Sequence, residues 1–229
     1  MELTPLYQKN MTCSLCNHSF KTTKIRGRFV RAKEHSTDLM PIYEDASLNP
    51  NLYHVHVCLD CGYSFTDDFV PYFPPGGKEE IEEKISKHWQ HLDFSGERSI
   101  DDAIKAYKLA IYIAVMKREK SITLAGLYLR LSWLFRGQDA EQEQRFQRLA
   151  VEAYKEAYSK EDYQGSQITT ERVLYLIAEL SLRLGEDDEA TRHFSKIIER
   201  QHSSTDRKMV HMAKERWQMF REERTLKRS

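Results

Sequence analysis

Two short Cys-x-x-Cys pairs constrain this chain more than any other feature of its sequence. The chain has four cysteines among its 229 residues, and they are Cys13, Cys16, Cys58 and Cys61. Each pair is followed by a residue that tolerates left-handed backbone, Asn17 or Gly62, and then by a ring side chain, a serine and a phenylalanine. Two residues between the thiolates let both sulfurs face one ion. The sequence therefore predicts two copies of one metal-binding knuckle, with Phe20 and Phe65 packed beneath them.

Four thiolates suit a tetrahedral zinc ion with no open coordination position. Iron in a rubredoxin-like site is the alternative, because the same four thiolates hold it, and a dithiol redox pair is a third reading. The segment between the pairs is longer than in common zinc ribbons, but loop-closure entropy grows only logarithmically with length. Neighbouring His18, His54 and His56 are interpreted as surface or strand side chains rather than ligands.

The distribution of proline divides the chain at about residue 75. All four cysteines and all six prolines lie in the first 75 residues, and the rest of the chain contains neither. Long helices exclude internal proline, so the remainder favours helical structure. The sequence predicts an α+β protein, with a small β zinc-ribbon-like module over 1–75 and an all-α TPR-like array over 78–229.

The segment between the two knuckles has its own pattern. Residues 20–33 contain no acidic side chain and predict a β-ribbon with one solvent-facing side. Residues 52–57 alternate and predict a strand that enters the second knuckle, after a turn at Asn49-Pro50. The basic side chains of the first stretch are candidates for contact with nucleic acid or an acidic partner: Lys21, Lys24, Arg26, Arg28, Arg31 and Lys33.

These motifs resemble a known family. A Cys-x-x-Cys pair near the N-terminus, a basic strand and the pattern N-P-x-x-Y-x-V-x-V-C-x-x-C-G-Y over residues 49–63 are similar to an uncharacterised bacterial domain-of-unknown-function family. Its members have zinc-ribbon-like N-termini and TPR-like helical C-termini, and often carry proline where this chain has Ser14 and Leu59. The similarity covers residues 10–75 by motif and the remainder in character. It implies the fold and the metal, and it implies no reaction.

Helical periodicity continues from residue 78 onward. It predicts helices over 78–94, 99–118, 121–136, 139–160, 168–185, 187–201 and 204–225. Capping boxes are predicted at 99–102 and 203–206. Residues 174–197 fit the tetratricopeptide template, and a plain helical bundle is the alternative. His88 and His91 fall one turn apart on the first helix, a spacing that can chelate a metal, and we interpret them as surface or packing side chains.

The charge and motif content favour binding over catalysis. Thirty-five basic and 35 acidic residues give no net charge, which argues against coating of nucleic acid or membrane by the whole surface. The chain has no apolar run long enough to cross a bilayer and no export signal at its start, so we expect no membrane insertion and a cytoplasmic location. No common catalytic motif or small-molecule substrate is identified. We expect a non-enzymatic adaptor for a protein or peptide; a nucleic-acid-binding protein and an enzyme of unknown reaction are the alternatives.

Overall fold

A computed structural model describes residues 3–226, and it has the expected α+β architecture. Three two-stranded antiparallel sheets occupy the N-terminal part. They pair β1 (Leu6–Thr12) with β2 (Ser19–Ile25), β3 (Ala32–His35) with β4 (Pro41–Tyr43), and β5 (His56–Val57) with β6 (Ser64–Phe65). The helices are α1 (Gly77–Lys84), α2 (Ile100–Met116), α3 (Ser121–Phe135), α4 (Ala140–Lys160), α5 (Thr170–Arg183), α6 (Asp187–Glu199) and α7 (Arg207–Leu226). None of the helices within residues 3–226 combines the length and apolar character that crossing a membrane requires.

The prediction of one helix over 78–94 is wrong. The helix ends at Lys84, a single 3₁₀ turn follows, and His91 adopts a positive φ of 54°. The chain leaves the helix because Trp89 packs on the second knuckle, where its indole Nε1 donates to the Leu59 carbonyl at 2.9 Å. His88 and His91 are both exposed, as expected for surface side chains, but they do not share a helix face.

The two predicted capping boxes have different outcomes. Ser99 and Asp102 form the reciprocal box that opens α2, with side chain to backbone distances of 3.1 and 3.2 Å. The prediction of a capping box at 203–206 is wrong, because α7 begins only at Arg207. Asp206 caps this helix, accepting from the Met209 amide at 3.0 Å. Asp206 also accepts from the Thr169 hydroxyl at 2.7 Å, which couples the starts of α5 and α7.

The strand expectations between the knuckles need correction. The basic stretch forms β2 only as far as Ile25, its partner is β1 rather than its own second half, and a 3₁₀ turn at 27–29 interrupts it. The predicted strand over 52–57 is wrong except at its end. Asn49 caps a 3₁₀ helix over Pro50–Tyr53, accepting from the Asn51 amide at 2.9 Å, and only His56–Val57 is strand.

The cysteine-bearing module and the helices share apolar packing. Val55 and Val57 lie in one buried cluster with Ala106 and Ala110 of α2. Buried Arg98 reinforces this junction, donating from Nη1 to the Val55 carbonyl at 2.7 Å. Each later helix packs on the one that follows it in sequence, around a second cluster centred on α4, α5 and α6. The boundary between 1–75 and 78–229 stays a prediction, as does the TPR class of the array.

Candidate metal centre

The two knuckles have the same backbone geometry. The Cys13 amide donates to the His18 carbonyl at 2.9 Å, and the Cys58 amide donates to the Tyr63 carbonyl at the same distance. Between them the chain reverses through Asn17 at φ 60° and Gly62 at φ 73°. The expectation of left-handed backbone at these two positions is therefore confirmed.

The four sulfurs lie together. Cys13 Sγ is 3.6 Å from Cys61 Sγ, and Cys16 Sγ is 3.7 Å from Cys58 Sγ. All four sulfurs lie within 4.8 Å of one another. A tetrahedral tetrathiolate site with metal–sulfur bonds of about 2.3 Å has sulfur–sulfur edges of roughly 3.8 Å. The donor set and its spacing therefore fit one metal ion, and zinc and iron both accept such a set.

The thiols alone share their protons unevenly. The hydrogen bond with Cys13 lowers the pKa of the Cys58 thiol, whereas the hydrogen bond with Cys58 raises the pKa of Cys13. Contact with Cys13 likewise raises the pKa of Cys61. A divalent cation stabilises all four thiolates at once, so metal binding would release the protons that the cluster otherwise retains.

The cluster is embedded in apolar packing. Cys13, Cys58 and Cys61 are buried, and Cys16 is the most accessible of the four. Phe20 and Phe65 meet edge to face at 6.4 Å, which confirms their expected packing beneath the knuckles. Ile81 of α1 and Ile113 and Met116 of α2 belong to the same buried cluster, so the helices cover the site.

The neighbouring histidines stand outside the sulfur cluster. His56 lies on β5 and is fully buried; its Nδ1 is 3.3 Å from the Thr22 hydroxyl, and burial lowers its pKa to about 4. His54 stacks on Tyr107 at 6.2 Å, and burial holds its pKa well below the usual value. His18 is exposed. The interpretation as surface or strand side chains is confirmed for His18 and His56, and it is wrong for His54, which is half-buried at the end of a 3₁₀ helix. No sequence pattern indicated the burial of His56.

The predicted basic contact residues are spread over β2, the 3₁₀ turn and β3. Lys24 pairs with Asp67 at 3.4 Å, and Arg26 lies 4.9 Å over the Tyr7 ring. The remaining four are exposed: Lys21, Arg28, Arg31 and Lys33. A surface cavity beside Arg28 and Arg31 is also lined by Glu44 and Asp45, which reduces the local positive charge. Contact of this segment with a partner stays a prediction.

A second constellation has no counterpart in the sequence analysis. The hairpin of β3 and β4 forms an arm, residues 32–43, whose tip, residues 36–40, inserts between the helices. Asp38 at the tip is fully buried. It accepts from Arg136 at 2.6 Å and from the indole Nε1 of Trp133 at 2.8 Å. Although burial alone raises the pKa of Asp38, hydrogen bonds from Arg136 and Ser36 and the charge of Arg183 hold it at about 2.

The residues on either side of Asp38 are also held by the helices. The Thr37 carbonyl accepts from the Tyr175 hydroxyl at 2.8 Å, and its hydroxyl accepts from Arg183 at 2.8 Å. Leu39 is 9% exposed and joins the core cluster of the helical array. No local pattern in 36–40 marks these contacts, since the partners lie between 95 and 146 residues further along the chain.

The family model described as an uncharacterized protein conserved in bacteria, DUF2225, matches residues 6–220. The match begins at β1 and continues into α7, so it includes both knuckles, the arm and the helical array. It confirms the resemblance inferred from residues 10–75 and extends it through the helices. No curated protein and no solved structure matches the chain.

Proposed function

The chain belongs to the DUF2225 family, and we propose that it is a non-enzymatic adaptor that binds a segment of a partner protein against its helices. A structural zinc ion holds its N-terminal module in place. The family description assigns no activity, so the proposal rests on the geometry of the arm tip and the cysteine cluster.

The metal part of the proposal rests on burial and donor type. The cluster offers four sulfurs and is covered by α1 and α2, which suits a closed structural site. A metal bound there links the turn between β1 and β2 to the turn between β5 and β6. Zinc has no redox chemistry and accepts tetrahedral thiolates without geometric preference, so it matches a purely structural role. Iron is the alternative that metal analysis distinguishes.

The observation that carries the adaptor proposal is the way the helices hold the arm tip. Side chains from α3 and α5 contact a backbone carbonyl, a carboxylate and a leucine of one short segment. Proteins recognise bound peptides by contacts of the same kinds: main-chain hydrogen bonds supply affinity, and contacts with charged or apolar side chains supply specificity. The arm tip therefore serves as an internal stand-in for a partner segment.

The arm is built so that its tip can be exchanged. All four residues of β3 are exposed, so the stem of the arm has little packing of its own. An isolated two-stranded ribbon is marginally stable in water. The tip is therefore retained mainly by its contacts with the helices. A partner segment with an acidic residue followed by leucine would satisfy Arg136, Trp133 and Arg183 in its place.

The arm tip and a partner segment would compete for the same contacts, so the arm should lower the affinity of the intact chain for a free peptide. A tethered segment competes at an effective concentration on the order of millimolar. The intact chain should therefore bind a free peptide weakly, and removal of the tip should reveal the site.

The test uses a fluorescent peptide with the sequence of residues 34–42 and a chain in which residues 36–40 are replaced by a Gly/Ser linker. We expect this variant to bind the peptide at least tenfold more tightly than the intact chain does. It should bind the same peptide carrying Asp38→Asn at least tenfold more weakly, because a buried charge-assisted hydrogen bond is lost. A variant with native helical circular dichroism that binds neither peptide would refute the proposal that the helices bind a segment of this kind.

Nucleic-acid binding is a second candidate because four basic side chains between the knuckles are exposed: Lys21, Arg28, Arg31 and Lys33. Phosphate contacts by these residues would make binding fall steeply with salt. Gel shifts at low salt with intact chain and with Lys21→Gln/Lys33→Gln test it. Absence of a shift for the intact chain excludes this candidate and leaves the adaptor proposal untouched.

A further inference from the structure

A cavity of about 400 Å³ lies where the cysteine-bearing module meets the helices. His54, Thr66 and Asp68 line it from the module, and α3 and α5 line it from the array. Junctions between structural units are common places for small-molecule sites, and this volume is within their usual range. The cavity is separate from the cysteine cluster, none of whose residues lines it.

One part of the wall is apolar and aromatic. Leu129 and Trp133 of α3, Tyr154 of α4 and Leu176 of α5 all line the cavity. Tyr154 is buried and Trp133 is held in place by its hydrogen bond to Asp38. These side chains form a fixed surface against which a flat or aliphatic group can pack.

Arg130 adds a positive charge to the cavity. This half-buried side chain lines the cavity. Within residues 3–226, it makes one hydrogen bond, to the Gly126 carbonyl one turn earlier at 3.3 Å, and no carboxylate lies within ion-pairing distance of its guanidinium. Gly126 makes room for this arrangement, because a Cβ there would stand 3.3 Å from Arg130 Nη1. Most of the donors of Arg130 therefore remain available.

Two further basic side chains line the same cavity. Lys120 and Arg172 line it and are exposed, and neither is paired with a carboxylate in the described part of the chain. Burial raises the pKa of Tyr154, which lines the same cavity, to about 12, and the charges of Arg130 and Arg172 act in the opposite direction.

Two acidic residues, Asp162 and Asp68, also line the cavity, and neither forms an ion pair with its cations. Asp162 accepts from the amides of Ser121 and Ile122 at 2.7 and 3.3 Å, where it caps the start of α3. Asp68 is mostly exposed and lies 4.0 Å from His54. The cavity therefore combines a rigid apolar wall with three cations that form no ion pair within residues 3–226, and the two lining carboxylates, Asp68 and Asp162, offset only part of their charge.

We propose that this cavity binds a small organic anion, with its carboxylate or phosphate group on Arg130 and its apolar part against Trp133 and Tyr154. Arg172 and Lys120 add positive charge at the entrance. A guanidinium forms paired hydrogen bonds with either anionic group, so the two sources share one chemistry. The site borders the arm tip, because Trp133 and Leu39 both line the cavity, but its anion contact is Arg130, which the adaptor proposal does not use.

Calorimetric titration of the intact chain at low salt tests the site with three probes: phenylacetate, phenyl phosphate and the neutral phenylacetamide. We expect at least one of the two anions to bind and phenylacetamide to bind at least tenfold more weakly. The anion that binds identifies the preferred group. Failure of both anions to bind, or equal binding of phenylacetamide, would overturn the proposal.

Variants assign the binding to Arg130. Arg130→Gln should lower the affinity for the anion about tenfold through loss of a charge-assisted interaction. Arg130→Lys should lower the affinity less because the charge remains. Arg148→Gln removes an exposed arginine of α4 that does not line the cavity, and it should bind as the unaltered chain does. Equal affinities for Arg130→Gln and Arg148→Gln, at equal melting temperatures, would contradict the assignment.

Discussion

The indole of Trp89 lies directly over Gly62, the glycine that turns the second cysteine knuckle. A Cβ at position 62 would stand 2.5 Å from Trp89 Cε3, and Gly62 has a φ of 73°. The same indole donates to the Leu59 carbonyl inside the knuckle. The segment after α1 thus closes over the metal-binding turn, and this contact explains why α1 ends early.

Replacement of this glycine should destabilise the knuckle. Gly62→Ala adds both a clash with Trp89 and a side chain at positive φ, and we expect a loss of about 1–3 kcal/mol in the free energy of unfolding. Thermal and denaturant unfolding measure the loss. Gly27→Ala is the matched control, since a Cβ there meets no atom within 4 Å. Equal stability of the two variants would contradict the packing of Trp89.

Asp38 should make stability depend on acidity. Its pKa is about 2 in the folded chain, below the value of 3.8 for a free aspartate. As the pH falls, the Asp38 carboxylate therefore takes up a proton in the unfolded chain before it does so in the folded chain. Its stabilisation of the fold is complete above about pH 5 and is lost as the pH falls through 3.8 towards 2. A shift of this size corresponds to about 2 kcal/mol.

Denaturant unfolding of the unaltered chain and of Asp38→Asn, at pH 6 and pH 3, measures the contribution of the Asp38 carboxylate to the free energy of unfolding. Metal loss in acid affects both proteins alike, so the difference between them isolates Asp38. The variant should be the less stable of the two at pH 6, and the gap should narrow at pH 3. A gap that does not change with pH would show that the Asp38 carboxylate is not selectively stabilised in the fold.

A fully buried ion pair joins the end of α2 to the segment after the second knuckle. Lys117 Nζ is 2.5 Å from Glu119 Oε1, and Glu119 Oε2 accepts from the Val70 amide at 3.0 Å. Lys117→Met should cost about 3–5 kcal/mol because it leaves a buried carboxylate without its partner. The double variant Lys117→Met/Glu119→Gln removes both charges and should recover part of that loss. Additive losses in denaturant unfolding would contradict a coupled pair.

Loss of the metal should act locally. Cys58→Ser removes one ligand, and we expect the knuckles to lose order while most of the far-ultraviolet helical signal remains, because the second core cluster lies around α4, α5 and α6. The module does share packing with α2, so a small helical loss is expected there. Collapse of the whole helical signal would show that 1–75 and 78–229 do not fold separately.

The sequence predicted those features that depend on local chemistry. Two residues between cysteines, followed by Asn17 or Gly62, define a knuckle without reference to the rest of the chain, and Ser99 and Asp102 define a helix start in the same way. The predictions failed where distant contacts decide the structure. Trp89 ends α1 by packing on a residue 27 positions earlier, and Asp38 reaches Arg136, which no periodicity indicates.

Native mass spectrometry of the purified chain tests the central claim most directly, since it measures what the four sulfurs hold. We predict a mass that exceeds the bare polypeptide by one zinc ion, with release of that ion in Cys58→Ser and retention in Gly27→Ala. A chain that carries no metal with four free thiols, or one that carries iron, would contradict it.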